Sequence, residues 1–111
     1  MSKTVVVRVS DFAEIPGARY IKDGDNSAEE FFLKVLKKIA DQTLLESSFD
    51  NLLIDLDNTR GYPSSFISEL SKLCSINYKK AKKVKQRLSI KSDEDPGLEE
   101  RFWSGFKQKY S

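Results

Sequence analysis

The segment Asn51-Leu-Leu-Ile-Asp-Leu-Asp-Asn-Thr-Arg-Gly-Tyr-Pro-Ser-Ser-Phe-Ile-Ser-Glu-Leu70 reads as an apolar strand that runs through a turn into an amphipathic helix. Leu52, Leu53, Ile54 and Leu56 form a short apolar run of strand length, and Asp57-Asn58 with Arg60-Gly61 supplies residues that break it. Pro63 disfavours helical backbone at Tyr62 and fixes its own φ, so the helix is expected to begin at Ser64 or Ser65, both good N-caps. Phe66, Ile67, Leu70, Leu73 and Cys74 then recur on one helical face. Backbone N–H groups at such a helix start favour negative charge, so a serine hydroxyl there is well placed to carry or contact a phosphate.

Working outward from this unit, Thr4 to Val9 is β-branched and apolar, the pattern of a first strand. Pro16-Gly17 breaks the chain, and a short second strand or loop is expected at Arg19-Tyr20-Ile21. Ser27-Ala-Glu-Glu30 is a capping box that opens a helix with Phe31, Phe32, Val35, Leu36 and Ile39 on its apolar face, running to about Leu45. Downstream, Val84, Leu88 and Ile90 fit a strand over Val84 to Lys91, although Ala81, Val84 and Leu88 would also suit a helical stripe; strand is the expectation. Asp93-Glu-Asp-Pro-Gly97 reads as a turn with Asp95 as N-cap and Pro96 in the first helical position. Leu98, Phe102, Phe106 and Tyr110 make the last helical face, with Trp103 at its edge, a stripe expected to be core. Strands alternating with helices predict an α/β fold: a single domain over residues 1–111, with a sheet of about four strands and three helices.

Composition narrows the function classes. Of 111 residues, 39% are hydrophobic and none is histidine, which removes the usual general base, the Ser-His and Cys-His couples and the commonest zinc ligand. No metal site and no cofactor are expected. Cys74 is the only cysteine and falls on the apolar face of its helix, so it reads as a core thiol. No apolar run approaches the roughly 20 residues of a membrane span, and the start of the chain lacks a signal-peptide core, so no membrane partner and a cytoplasmic location are expected.

Leu53-Ile-Asp-Leu-Asp-Asn-Thr59 resembles the first motif of haloacid dehalogenase-like phosphatases, in which an aspartate nucleophile, a second aspartate and a threonine follow an apolar strand. That resemblance implies a minimal phosphotransfer enzyme using Asp55 and Asp57, with Asp93 and Asp95 standing in for the acidic pair. The motif comes midway along a short chain, which leaves too little downstream sequence for such a core. Asp55 and Asp57 are therefore read as strand-end and turn residues, with no catalytic residue in the chain.

A second resemblance covers most of the chain, from about Val5 to Leu73. Asp55, Leu56, Asp57, Gly61, Ser64, Ser65, Phe66, Glu69 and Leu70 match the pattern of a STAS-like family of unknown function: a strand with Asp-Leu-Asp, a Gly-x-x-Ser-Ser-Phe turn and a Glu-Leu helix. Gly17-Ala-Arg19 and Ser27-Ala-Glu-Glu-Phe31 also look like that family's earlier segment. The pattern is related to bacterial STAS domains, the fold of anti-sigma factor antagonists. The resemblance implies a non-catalytic regulatory domain that binds a protein partner, a histidine-kinase-like ATPase or an anti-sigma-like regulator, and that phosphorylation of a serine switches that binding off. Ser64 occupies the position of the modified serine, with Ser65 the second candidate. The contact surface is expected to comprise Asp57, Asn58, Thr59, Arg60, Gly61, Tyr62, Ser64 and Ser65.

The tract Lys79 to Lys91 carries a competing reading. Lys79, Lys80, Lys82, Lys83, Lys85, Arg87 and Lys91 precede the next acid, Asp93, and such a run suits a nucleic-acid-associated accessory protein or another anionic partner, with Tyr78 as the nearby aromatic for stacking. A solvated basic face beside the acidic turn is the plainer account, and the net charge is only +2.

Overall fold

Alternation along three short apolar segments turns one side of each inward, and those inward sides build the sheet. A computed structural model of the protein describes residues 2–46 and 49–110, the side chains of 107–110 excepted. Strand β1 (Thr4–Arg8), strand β2 (Asn51–Asp55) and strand β3 (Leu88–Lys91) form a parallel sheet in the order β1-β2-β3. The register stacks Val5, Leu52 and Leu88 in one row and Val7, Ile54 and Ile90 in another. Apart from half-buried Val5, these side chains are buried in the core. The opposite face carries Val6, Leu53 and Ser89 in one row and Arg8, Asp55 and Lys91 in the next. Val6 is 38% exposed and Ser89 is exposed, so among the described residues this face is the more open of the two.

The helices are α1 (Val9–Phe12), a long helix α2 over residues 28–46, α3 (Ser64–Tyr78), α4 (Val84–Arg87) and α5 (Gly97–Tyr110). Helix α2 is α-helical over Ala28–Phe31 and Lys37–Ala40 and π-helical over Phe32–Leu36 and Asp41–Glu46. Its capping box is present with one shift: the Glu30 N–H donates to Ser27 Oγ at 3.0 Å, while the Glu30 carboxylate accepts from the Asn26 N–H at 3.1 Å. Phe31, Phe32 and Leu36 are buried, as the periodicity requires. At the far end of α3, Tyr78 crosses to α2, where its hydroxyl donates to Asp41 Oδ1 at 2.6 Å. Burial pushes the Tyr78 hydroxyl well above its usual range, and the Asp41 carboxylate adds to the effect.

Helices α3 and α5 pack closely. Ser71 and Ser75, one turn apart and both fully buried, donate to the backbone oxygens of Phe102 and Phe106. A Cβ added at Gly105 would lie 2.9 Å from Ser71 Oγ, so the small residue sets the approach. Phe102 and Phe106 are buried, and Trp103 is partly buried against both rings, in keeping with the expected core stripe. The side chain of Tyr110 lies outside the described residues.

Three expectations need correction. Among the described residues the sheet has three strands where about four were expected, and five helices stand where three were expected; residues 17–19 serve the start of α2 instead of pairing with a strand. Gly17 N–H donates to Asn26 O, and the Ala18 and Arg19 oxygens accept the N–H groups of Ala28 and Glu29. A 3-10 turn over Ile21–Asp23 follows. The second correction concerns Val84 to Lys91: Val84–Arg87 is the helical turn α4 and only Leu88–Lys91 is strand, so both periodicities held, each over half the segment. The third concerns the α3 start. Pro63, extended at φ −61° and ψ 145°, is the N-cap, with no side-chain capping bond, and Ser64 and Ser65 are the first two helical residues. They do not cap the helix.

Candidate partner-binding site

The site lies where the strands end. Parallel strands bring their C-terminal ends to one edge of the sheet, and two loops meet there: residues 56–63 after β2 and residues 92–96 after β3.

Asp55 closes β2 and is buried. Its Oδ1 accepts the Asp57 N–H at 2.9 Å, a side-chain turn that bends the chain out of the strand, and its Oδ2 lies 3.6 Å from Arg8 Nε on the paired strand. Asp57, 4% exposed, points back across the edge toward β3. Its carboxylate accepts from Lys91 Nζ at 2.6 Å, the Glu94 N–H at 3.0 Å and the Asp93 N–H at 3.1 Å. Burial alone would raise its pKa, but the Glu94 amide, the Lys91 ammonium and the Asp93 amide outweigh burial and hold it below the usual carboxylate range. The Asp57 and Asp93 carboxylates correspondingly raise Lys91.

These bonds pin both ends of the loop. Asn58 adopts positive φ (68°), and its N–H donates to Glu94 Oε1 at 2.8 Å. Arg60 is anchored twice to Glu14, through its N–H to the backbone oxygen and through Nε to the carboxylate. Gly61 has φ 112°, a conformation that side chains rarely adopt, and its N–H lies 3.3 Å from Thr59 Oγ1. Tyr62 folds back so that its hydroxyl donates to the Leu56 oxygen at 2.8 Å, while its ring packs on Phe66 at 5.3 Å between centroids. Burial pushes the Tyr62 hydroxyl well up. The loop therefore stands as a rigid rim with Asn58, Arg60 and Gly61 exposed. A cleft of about 230 Å³ opens between the two loops, with Asp57, Thr59, Arg60, Gly61, Tyr62, Glu94 and Asp95 among its lining residues.

Of the eight residues expected at a contact surface, Asp57, Thr59, Arg60, Gly61 and Tyr62 line this cleft and Asn58 stands on its rim. Ser64 is exposed two residues beyond Tyr62, and Ser65 beside it is half-buried. The first turn of α3 contains no acidic side chain. One turn further, Glu69 is buried and lies 4.0 Å from Arg19, a contact between the segment before α2 and α3. Sequence reading missed Lys91 and Glu94 as members of the site. The signal available for them was the repeat of an apolar strand followed by alternating charges, Asp55-Leu-Asp57 and Lys91-Ser-Asp93, which parallel pairing brings side by side.

The aspartates that suggested phosphotransfer hold structure together here. Both oxygens of Asp57 are taken up by the β3–α5 turn, and Asp55 is occupied by its own turn and by Arg8. No protein-family model, curated protein or solved structure matches the chain.

Proposed function

We propose that this chain is a non-catalytic, STAS-like regulatory domain that binds a protein partner through the loop from Asp57 to Tyr62 and the start of α3. The observation that carries the reading is the pinned rim. Bonds to Glu94 Oε1 and the Glu14 backbone oxygen anchor the loop backbone at Asn58 and Arg60, and the bond to the Leu56 oxygen anchors the Tyr62 side chain, which lowers the ordering cost of an interface. Ser64 lies at the edge of that rim, exposed in the first turn of α3.

Phosphorylation of Ser64 gates the contact. A phosphate brings close to two negative charges to a helix start with no acid in its first turn, so the protein itself tolerates the group. A partner surface seated on the rim would meet new charge and a bulky hydrated group, and binding falls. The partner, by the family resemblance, is a histidine-kinase-like ATPase or an anti-sigma-like regulator. Loss of the capping role strengthens the case for Ser64 as a modifiable side chain, because its hydroxyl makes no capping bond that modification would break.

Pull-down from the native host with the wild type and two variants tests this. Ser64→Ala is expected to retain the partner and Ser64→Glu to lose it. Equal capture by both variants would reject the switch, and no partner lost on Arg60→Glu would reject the surface.

A further inference from the structure

At the opposite end of the sheet, where strands begin and helices finish, exposed lysines and exposed apolar side chains lie close along the chain, with Glu46 an exposed acid among them. Lys79 and Lys80 follow the last turn of α3, and Lys82, Lys83 and Lys85 complete an exposed basic turn before β3. One buried guanidinium builds this end. Arg87, 5% exposed, donates to the backbone oxygens of Thr43 and Leu44 in the last turn of α2, of Asp50 before β2 and of Lys82 in the basic turn. The lysine turn is thus fastened beside the end of α2 and the entry to β2. Leu45 (55% exposed) and Phe49 (73%) adjoin those anchored carbonyls, and Ile76 (52%) lies in the last turn of α3 just before the lysines.

We propose that this basic pole docks on an anionic lipid surface. Clustered lysines near such a surface are each attracted by its negative potential, and neighbouring apolar side chains enter the boundary between headgroups and acyl chains. Of the exposed apolar side chains here Phe49 alone has a π face to offer a base; Leu45 and Ile76 have none, and Tyr78, the aromatic nearest the lysines in sequence, is fully buried against α2. Lipid therefore fits the composition of the patch better than single-stranded nucleic acid, which rewards stacked aromatics. The sequence led to an expectation of no membrane partner, argued from the lack of a spanning run; among the described residues no helix is long and apolar enough to cross a bilayer, and docking on a lipid surface, which needs none, departs from that expectation. The partner-binding rim lies at the other end of the strands, so a lipid-docked molecule presents it away from the surface.

Co-sedimentation of the full chain with vesicles of phosphatidylcholine alone, and with about 30% phosphatidylserine added, tests the proposal. Binding is expected only with the anionic lipid and should fall steeply as salt is raised to about 0.3 M. Each lysine removed should weaken binding about fivefold, so Lys80→Gln, Lys82→Gln and Lys85→Gln together should cost about a hundredfold. The three corresponding arginine substitutions should retain binding. Lys83 is left in place because its backbone is left-handed at φ 52°. Phe49→Ser should weaken binding about tenfold without changing the salt dependence. Trp103 fluorescence and circular dichroism check that each variant folds. Equal binding to both vesicle types overturns the proposal, as does an inert Phe49→Ser variant, which would leave only nonspecific adsorption of charge. Tighter binding to labelled single-stranded or duplex DNA than to anionic vesicles at the same salt would overturn it in favour of a nucleic-acid surface.

Discussion

Replacing Asp57 by asparagine isolates the contact that joins the two loops of the site. The carboxylate accepts two backbone N–H groups and the Lys91 ammonium, whereas the amide has one acceptor oxygen and turns an NH2 group toward the remaining donors. One charged-acceptor hydrogen bond is lost, about 1.5 kcal/mol. Lys91 is 40% exposed, so solvent screens its ion pair, which adds little. Asp57→Asn is therefore expected to destabilise the fold by about 1.5 kcal/mol at neutral pH, lowering Tm by about 8 °C for a chain of this size. Urea unfolding followed by Trp103, which packs on Phe102 and Phe106, measures this directly. The pH dependence supplies a second check. The folded-state pKa of Asp57 lies below its unfolded value, so its contribution is fully present above the ordinary carboxylate pKa of about 4 and is lost as pH falls through the lowered folded value. Asp41 is also lowered, but it is common to both proteins and cancels in their difference. The gap between wild type and variant should thus be full at neutral pH and close in acid. Equal midpoints at neutral pH, or a gap that persists unchanged in strong acid, would refute the assignment of Asp57 as the anchor.

Other perturbations probe separate elements. Arg87→Met should cost about 3 kcal/mol or more, since it leaves carbonyls of α2, Asp50 and Lys82 without their donor; a midpoint near wild type would show that water replaces the guanidinium. Ser27→Ala should cost about 1 kcal/mol through loss of the bond to the Glu30 N–H, read as a lower urea midpoint at unchanged slope. Gly105→Ala should destabilise by about 1 kcal/mol net, because crowding against Ser71 outweighs the helix propensity gained, and a raised midpoint would contradict the close approach. Cys74 is buried with its thiol pushed up by burial, so a thiol reagent should modify it only as fast as the protein opens, with strong acceleration in urea.

The strand, turn and helix from Asn51 to Leu70 were legible in the sequence because breakers, apolar period and proline all agree there. The Ser27 capping box was legible for the same reason, since cap and face start together. At Arg19-Tyr20-Ile21 the loop alternative holds and the strand one fails, because β-propensity says nothing about where backbone groups go and the helix start claims the neighbouring carbonyls. At the α3 start, serine preference lost to Pro63, whose extended backbone takes the cap position itself. In the basic tract, Arg87 broke the strand pattern by turning inward to bind carbonyls, an event visible only once α2, β2 and the lysine turn are side by side. The turn from Asp57 to Tyr62 was legible from its breaker residues, and its role as a contact surface came from the family resemblance; Lys91 and Glu94 meet that loop through parallel pairing, which local patterns do not encode.

That pairing also governs how the chain reaches its folded state. Each strand waits for a partner on the far side of a helix, Thr4 for Asn51 and Leu52 for Leu88, so no hairpin is available to nucleate the sheet. Chain entropy must be surrendered over long loops before any strand contact repays it, which favours early formation of α2 and α3 and late closure of the sheet. During synthesis β2 emerges well before β3, and its second edge stays open until Leu88–Lys91 has left the ribosome. The apolar run from Leu52 to Leu56 is then a bare edge, and the short charged segments on either side of it, Asp50-Asn51 and Asp57-Asn58, discourage intermolecular pairing in that interval.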